Sequence, residues 1–378
     1  MSTYSRNSID NLEKVDEFTK NSSNFLTNIE SSEEKRLLKK IDLRIIPLVT
    51  VLYTLSFLDR VNIGNAKLAN FERDINLTND EYDWALGIFF LGYVIFDVPS
   101  NIALIKIKPS VWISTLMVVW GIIMTIMAFA KNFSELMVLR FLLGLFESGL
   151  FPGVIFYLTK WYKKSERNYR ISLFFSGATI AGAFNGLLAY AITNLDVVSQ
   201  LLSTPPFILG CISCIVVAKF SDCYGVRSPY LLLCILVPIA GYAILVIPNA
   251  SVAVKYTAVC IIGLGVFSTV PTTLTWLTDN LAGDSKRAVG TAMMISWGNI
   301  GGVISAQLYK PIDAPAYKTG HSIALSLSVV AVIITIIQYY LLKRTNKYKL
   351  ENPEIFLKGS NRDATYLGDS HPSFIYSL

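Results

Sequence analysis

The chain has 378 residues, 53% of them hydrophobic and only 16% charged, with mean hydropathy +0.48 and formal charge +6. Soluble domains carry about 25% charged residues, so this balance points to a membrane protein. The five cysteines and two histidines (His321, His371) form no metal-ligand spacing. The Cys-x-x-Cys of Cys211 and Cys214 lies in an apolar run without a nearby histidine, which suits helix packing. Metal, cofactor, nucleic-acid partner and a membrane-embedded enzyme are therefore not expected.

Residues 1–40 are polar and rich in Ser and Asn, without the apolar core of a cleaved signal peptide, and are expected to form a disordered cytosolic tail. Ten apolar runs follow, each near the ~20 residues that cross a bilayer as a helix. They are 45–64, 84–105, 111–130, 136–158, 171–192, 201–220, 229–248, 254–277, 288–308 and 322–342. Five fall in an N-terminal half, 41–196, and five in a C-terminal half, 197–342; a second tail covers 343–378. Twenty Lys and Arg flank one set of span ends and six the other. Basic loops stay cytosolic, so both termini are expected in the cytosol. Three Asn-x-Ser/Thr tripeptides, at Asn76, Asn132 and Asn249, fall on the other side, and chance explains them best.

Several ionisable residues sit inside these runs, where they are costly and functional by default. Arg140 and Glu147 are seven residues apart, about 10 Å along one face of a helix. That is too far for a direct bridge, but each can face one polar cavity. The cation would bind an anionic substrate and the carboxylate would carry a proton; alternatively, each pairs with a charge on another helix. Asp59 and Arg60 end the first span, as an interfacial pair or as site residues. Asp97 is deep in the second span, either accepting hydrogen bonds from a neighbouring helix or relaying protons. Asp222 and Arg227 sit in a cytosolic loop where a charged pair can latch helix ends. Trp276 and Asn280 mark a polar stripe near the cytosolic end of the eighth span, or an interfacial anchor. Pro99, Pro152, Pro238 and Pro271, with Gly298, Gly301 and Gly302, suit helices that bend and pack closely.

The chain resembles the major facilitator superfamily, and within it the anion:cation symporters of the fungal allantoate permease-like branch, which includes nicotinate transporters. The resemblance is carried by LDRVNIGNAKL (58–68), GYVIFDVPSNIALIK (92–106), LRFLLGLFESGLFPGVIFYLTKWY (139–162), SDCYGVRSP (221–229), DNLAGDSKRA (279–288) and YKPIDAPAYKTGH (309–321). It implies a helical bundle and proton-driven symport of a small organic anion across a fungal plasma membrane. Arg140, Gly144 and Glu147 match the family's substrate and proton-coupling pattern, and Arg60 matches an arginine of related anion transporters. Asp97 stands where the family has Glu. Asp222-Cys223 stands where it has Asp-Arg, so a weaker latch is expected.

The family has twelve spans. Here residues 189–196 resemble the end of its fifth and 197–207 the start of its eighth, so about ten helices are expected. Removing an even number of crossings preserves the orientation of later loops. Three origins stay open: a genuine ten-helix transporter, a spliced product, or an incomplete gene reading; the last two together rank above the first. A truncated, non-transporting relative, such as a nutrient sensor, is the alternative function.

Overall fold

The structure, a computed structural model, describes residues 32–64, 75, 77–193, 202–308, 313, 317–353 and 368–378. Asn76, most of the first expected tail and the 194–200 join lie outside the described residues. The chain divides into two compact units, Met1–Val49 and Thr50–Leu378. The described part of the first is the opening of helix α1; the second holds everything that follows.

Among the described residues the regular structure is helical throughout, and the protein is an all-α membrane protein. The helices are α1 (Ser32–Gly64), α2 (Asn79–Lys106), α3 (Pro109–Met127), α4 (Phe133–Glu147), α5 (Leu150–Trp161) and α6 (Lys164–Thr193). They continue with α7 (Thr204–Tyr224), α8 (Ser228–Val246), α9 (Val252–Asp279), α10 (Asp284–Leu308) and α11 (Lys318–Glu351). Counting α4 and α5 as one crossing, Phe133–Trp161, this makes ten long stretches, eight of them long and apolar enough to cross a membrane. The other two are α6 and α10, and parts of both lie outside the residues whose side chains are described.

Local chemistry sets the helix ends. Thr78 and Glu81 cap α2 reciprocally, each side chain bonding the other's backbone N–H. Asn132 caps α4 through the Glu135 N–H, which explains one of the three glycosylation-like tripeptides as a cap. Pro109 starts α3 at a position where its missing N–H costs nothing. Gly225 closes α7 with φ +67°, which turns the chain back toward α8.

Small residues bring the helices together. A Cβ on Gly144 would strike the Phe89 backbone, and one on Gly92 the Phe141 backbone, so α2 and α4 cross at two glycines. Gly265 of α9 accepts the ring of Pro238 from α8 in the same way. On either side of the join, α6 and α7 pack directly: Phe207 fills the space over Gly182. Large apolar side chains such as Trp84, Val118 and Ile334 are exposed on the helices' outer faces. Hydrocarbon covers such surfaces at no cost, so polar and small groups can take the interior.

Candidate functional site

Glu147 ends α4 and is 3% exposed. Its partner comes from α1. The Glu147 Oε1 accepts from Arg60 Nη2 at 2.7 Å and from Ser56 Oγ at 2.7 Å. Ser56 and Arg60 are one helical turn apart, so a single face of α1 supplies both donors. The Glu147 Oε2 is buried with no hydrogen-bond partner among the described residues.

The rest of the Arg60 guanidinium lies against aromatic rings. Its carbon is 5.2 Å from the Tyr93 centroid, 5.3 Å from Phe89 and 6.0 Å from Phe57, within cation–π range. Its side chain keeps 19% exposure. That exposed part lines a cavity of about 400 Å³. Tyr53, Phe151 and Phe175 of α1, α5 and α6 form one wall, and Thr269, Thr273 and Asn299 of α9 and α10 line the rest. Small-ligand sites commonly span about 300–1,000 Å³, apolar with a few placed polar groups. This cavity has that character, with one guanidinium.

Arg140 is elsewhere. It is 3% exposed and lines a separate cavity of about 200 Å³ with Asp59, Asn62 and apolar side chains of α3 and α4. Its Nε is buried without a hydrogen-bond partner among the described residues, and Asp59 interacts with it electrostatically. The expectation that Arg140 and Glu147 share one polar cavity is thus corrected. Arg140 lines the cavity beside Asp59, whereas Glu147 lines neither cavity and bonds Arg60 of α1. Arg140 and Arg60 likewise do not converge. Gly144 lies between the two charges on α4 and sets the approach of α2.

Asp97 is fully buried and links α2 to α10. Its Oδ2 accepts from Ser296 Oγ of α10 at 2.9 Å, and its Oδ1 from Asn101 Nδ2 at 3.4 Å. Of the two readings of Asp97, the geometry displays the hydrogen-bond acceptor. Ser296→Ala removes the only inter-helix donor described for this carboxylate. A buried bond to a charged group is worth about 1.5–3 kcal/mol, so thermal unfolding in detergent should show that loss, with Ser296→Thr largely intact.

At the end of the bundle that carries the basic loops, a second network closes. Asp279, which ends α9, takes Arg167 Nη1 of α6 at 2.7 Å and Arg227 Nε at 3.3 Å. Arg227 Nη1 also reaches Asp222 Oδ1 at 2.5 Å, and its Nη2 reaches the Lys164 carbonyl at 2.7 Å. Asp222 Oδ2 accepts the Tyr169 N–H at 2.7 Å, tying α7 to the start of α6. The three central groups, Arg167, Arg227 and Asp279, are each at most 4% exposed. With Cys223 in place of the family's arginine, the sequence predicts a weaker latch. Instead, Gly225 folds the loop so that Arg227, five residues past Asp222, supplies the cation.

Three of these residues do not stand out as site residues in the sequence: Ser56, Arg167 and Asp279. Asp279 carries a signal, as the single acidic residue in the 28 of α9. Arg167 reads there only as an orienting charge, and Ser56 offers nothing beyond its turn spacing to Arg60. Asn280 and Trp276 face neither cavity. Asn280 exchanges two hydrogen bonds with the backbone of Ser377, and Trp276 Nε1 donates to the Ser377 carbonyl at 2.9 Å.

Comparison with known proteins places this arrangement. Residues 49–199 match the Major Facilitator Superfamily. The "MFS transporter prlL" of Fungal sp. (strain NRRL 50135) is 44% identical over 197 residues, 50% of this chain and 40% of its own length. The "High-affinity nicotinic acid transporter" of Saccharomyces cerevisiae is 26% identical over 425 aligned positions, covering 84% of this chain and 79% of the relative. A "Putative tartrate transporter" of Agrobacterium vitis is 39% identical over 162 residues, 43% of this chain and 36% of its own length. The chain therefore spans well under half of two of these relatives. Of the 425 positions aligned with the nicotinic acid transporter, more than a hundred face no residue of this chain, since only 84% of its 378 residues take part. That deficit has the size of two spans of about 20 residues and a loop. The superfamily match stops at residue 199, beside the join between residues 196 and 197. Over residues 49–199 the chain is thus similar to the Major Facilitator Superfamily, and the relatives it matches are named as transporters.

Proposed function

We propose that this chain is a proton-coupled symporter of a small organic carboxylate, seated in the plasma membrane with both termini cytosolic. The observation that carries the proposal is the sharing of Arg60. Its guanidinium holds Glu147 on one side and faces the 400 Å³ cavity on the other. A carboxylate substrate entering the cavity competes with Glu147 for one cation. Two carboxylates about 5 Å apart repel by roughly 3 kcal/mol at an effective dielectric of about 20, which is roughly a hundredfold in affinity. Protonating Glu147 removes that repulsion and frees Arg60. Proton and anion therefore bind together, which is the thermodynamic requirement for symport. Aromatic walls beside a single cation favour a small flat monocarboxylate, and the nicotinic acid transporter relative supports that class.

In this reading Arg60 contacts the anion, Glu147 exchanges the proton, and Asp97 holds α10 against α2. Arg140 offsets the buried acids Asp59 and Glu147 from its own cavity. Asp222 and Arg227 form part of the latch at the cytosolic end. Arg60→Lys keeps the charge but loses the planar fork that meets a carboxylate with two bonds. Binding of nicotinate, measured by calorimetry on the purified chain, should weaken by about tenfold or more, as expected from losing one charge-assisted bond. Undiminished binding would remove Arg60 from the site.

The alternative is a non-transporting relative, such as a nutrient sensor, and the hundred-position deficit favours it. Carboxylate binding without flux in proteoliposomes would select that reading.

A further inference from the structure

Residues 368–378 are docked on the basic end of the bundle, and their contacts are specific. Two successive residues are each clamped by an asparagine from a different helix. Asn346 of α11 donates to the Tyr376 carbonyl at 2.9 Å and accepts its N–H at 2.8 Å. Asn280 does the same for Ser377, at 3.1 and 2.7 Å. A carboxamide that both gives and takes in this way imitates a neighbouring strand. Lys349 is buried to 2% and donates to the carbonyls of Asp369, at 2.5 Å, and Phe374, at 3.1 Å. Burying an ammonium among carbonyls is costly unless the site is built for it. None of these side chains is needed to close α9 or α11 themselves.

The segment also touches the latch. The Arg227 backbone N–H donates to the Leu378 carbonyl at 2.7 Å, while its guanidinium holds Asp222 and Asp279. Lys164, whose carbonyl takes Arg227 Nη2, lies 4.3 Å from the Phe374 ring centroid. Lys164 begins α6, in the first half; Arg227, Asn280, Asn346 and Lys349 belong to the second. The segment therefore spans the seam that the Arg167–Asp279–Arg227 network closes.

We propose that residues 368–378 form an intramolecular strap. It holds the basic end of the bundle closed, and that end opens only when the strap leaves. The halves separate at this end in the transport reading above, so the proposal rests on that reading, yet it is tested without transport. Thr278, buried at the level of the network, serves as the reporter of opening.

The test uses the full chain with its five native cysteines replaced by alanine. In the first arm, Asn346→Cys with Tyr376→Cys should form an intramolecular disulfide on mild oxidation, seen as a mobility shift that reductant reverses. In the second arm, Thr278→Cys is labelled with a membrane-impermeant maleimide applied to the basic side. Adding Ser377→Pro, which deletes the N–H that Asn280 accepts, should raise the labelling rate severalfold. Oxidising the 346–376 pair in the Thr278→Cys chain should lower the labelling of residue 278 itself, read by mass spectrometry of its peptide, below that in the reduced chain, a comparison within one polypeptide that misfolding cannot mimic. Absence of the disulfide would overturn docking, and labelling rates indifferent to both changes would overturn the strap. Nicotinate uptake measured in parallel is a separate readout: its absence would count against transport and leave the labelling result standing.

Discussion

Glu147→Gln is expected to bind a carboxylate at every pH as the protonated wild-type chain does, and to lose gradient-driven accumulation. Glutamine is nearly isosteric, and its carbonyl can keep the bonds from Ser56 and Arg60 that Glu147 Oε1 now accepts. What it removes is the negative charge that competes with substrate for Arg60, and the proton that cancels it. Wild-type affinity should fall as the proton concentration falls, by up to about a hundredfold on a repulsion of roughly 3 kcal/mol between the two carboxylates. In the variant that dependence should vanish. Binding titrations at several pH values separate this outcome from simple damage to the site, which would weaken binding at all pH values. Downhill exchange should survive where concentrative uptake does not. Gradient-driven accumulation by the variant would show that Glu147 is not the coupling group.

Asp279→Ala should cause the largest loss of stability of any single change at the basic end. The carboxylate is 1% exposed and neutralises two arginines that are at most 4% exposed. Its removal leaves Arg167 and Arg227 buried, close together and facing each other's charge. Breaking a buried ion pair from one side costs about 3–5 kcal/mol; here Arg167 is stranded, while Arg227 keeps Asp222. The expected result in detergent is a folded yield and Tm well below those of the parent. Adding Arg167→Met should recover much of that loss, because a charge-depleted, apolar-filled version of such a network is often neutral. Rescue by the second substitution is what distinguishes charge imbalance from a cavity, which Arg167→Met would not repair.

Eight of the ten expected crossings are legible as helices long and apolar enough to span, because membrane crossing is a matter of apolar length. The ends are harder, since helices run past the hydrocarbon limit. The apolar pattern puts the first run at 45–64, yet α1 begins at Ser32; it puts the last at 322–342, yet α11 reaches Glu351. Charged residues there form good helix but break the apolar pattern. At the site, Glu147 is legible as a buried carboxylate, but its partner is not. Spacing within one helix ties it to Arg140, whereas Arg60 lies 87 residues away and meets it only through the packing of α1 on α4. The latch shows the same limit. The sequence pairs Asp222 with Arg227 but expects a weaker latch from Cys223, and it does not show that Asp279 and Arg167 join that pair. The strap leaves no sequence signal at all, because asparagine clamps on backbone groups impose no pattern on the residues they hold.

Coupling in this mechanism depends on one guanidinium shared between a proton-carrying Glu147 and a carboxylate substrate. The most direct test is the number of protons taken up when nicotinate binds to the purified chain, measured by calorimetry in buffers of different ionisation enthalpy within the pH range over which the affinity changes. Shared use of Arg60 predicts uptake of close to one proton per anion bound in the parent chain and none in Glu147→Gln. Anion binding without proton uptake in the parent, or the same uptake in both chains, would contradict it.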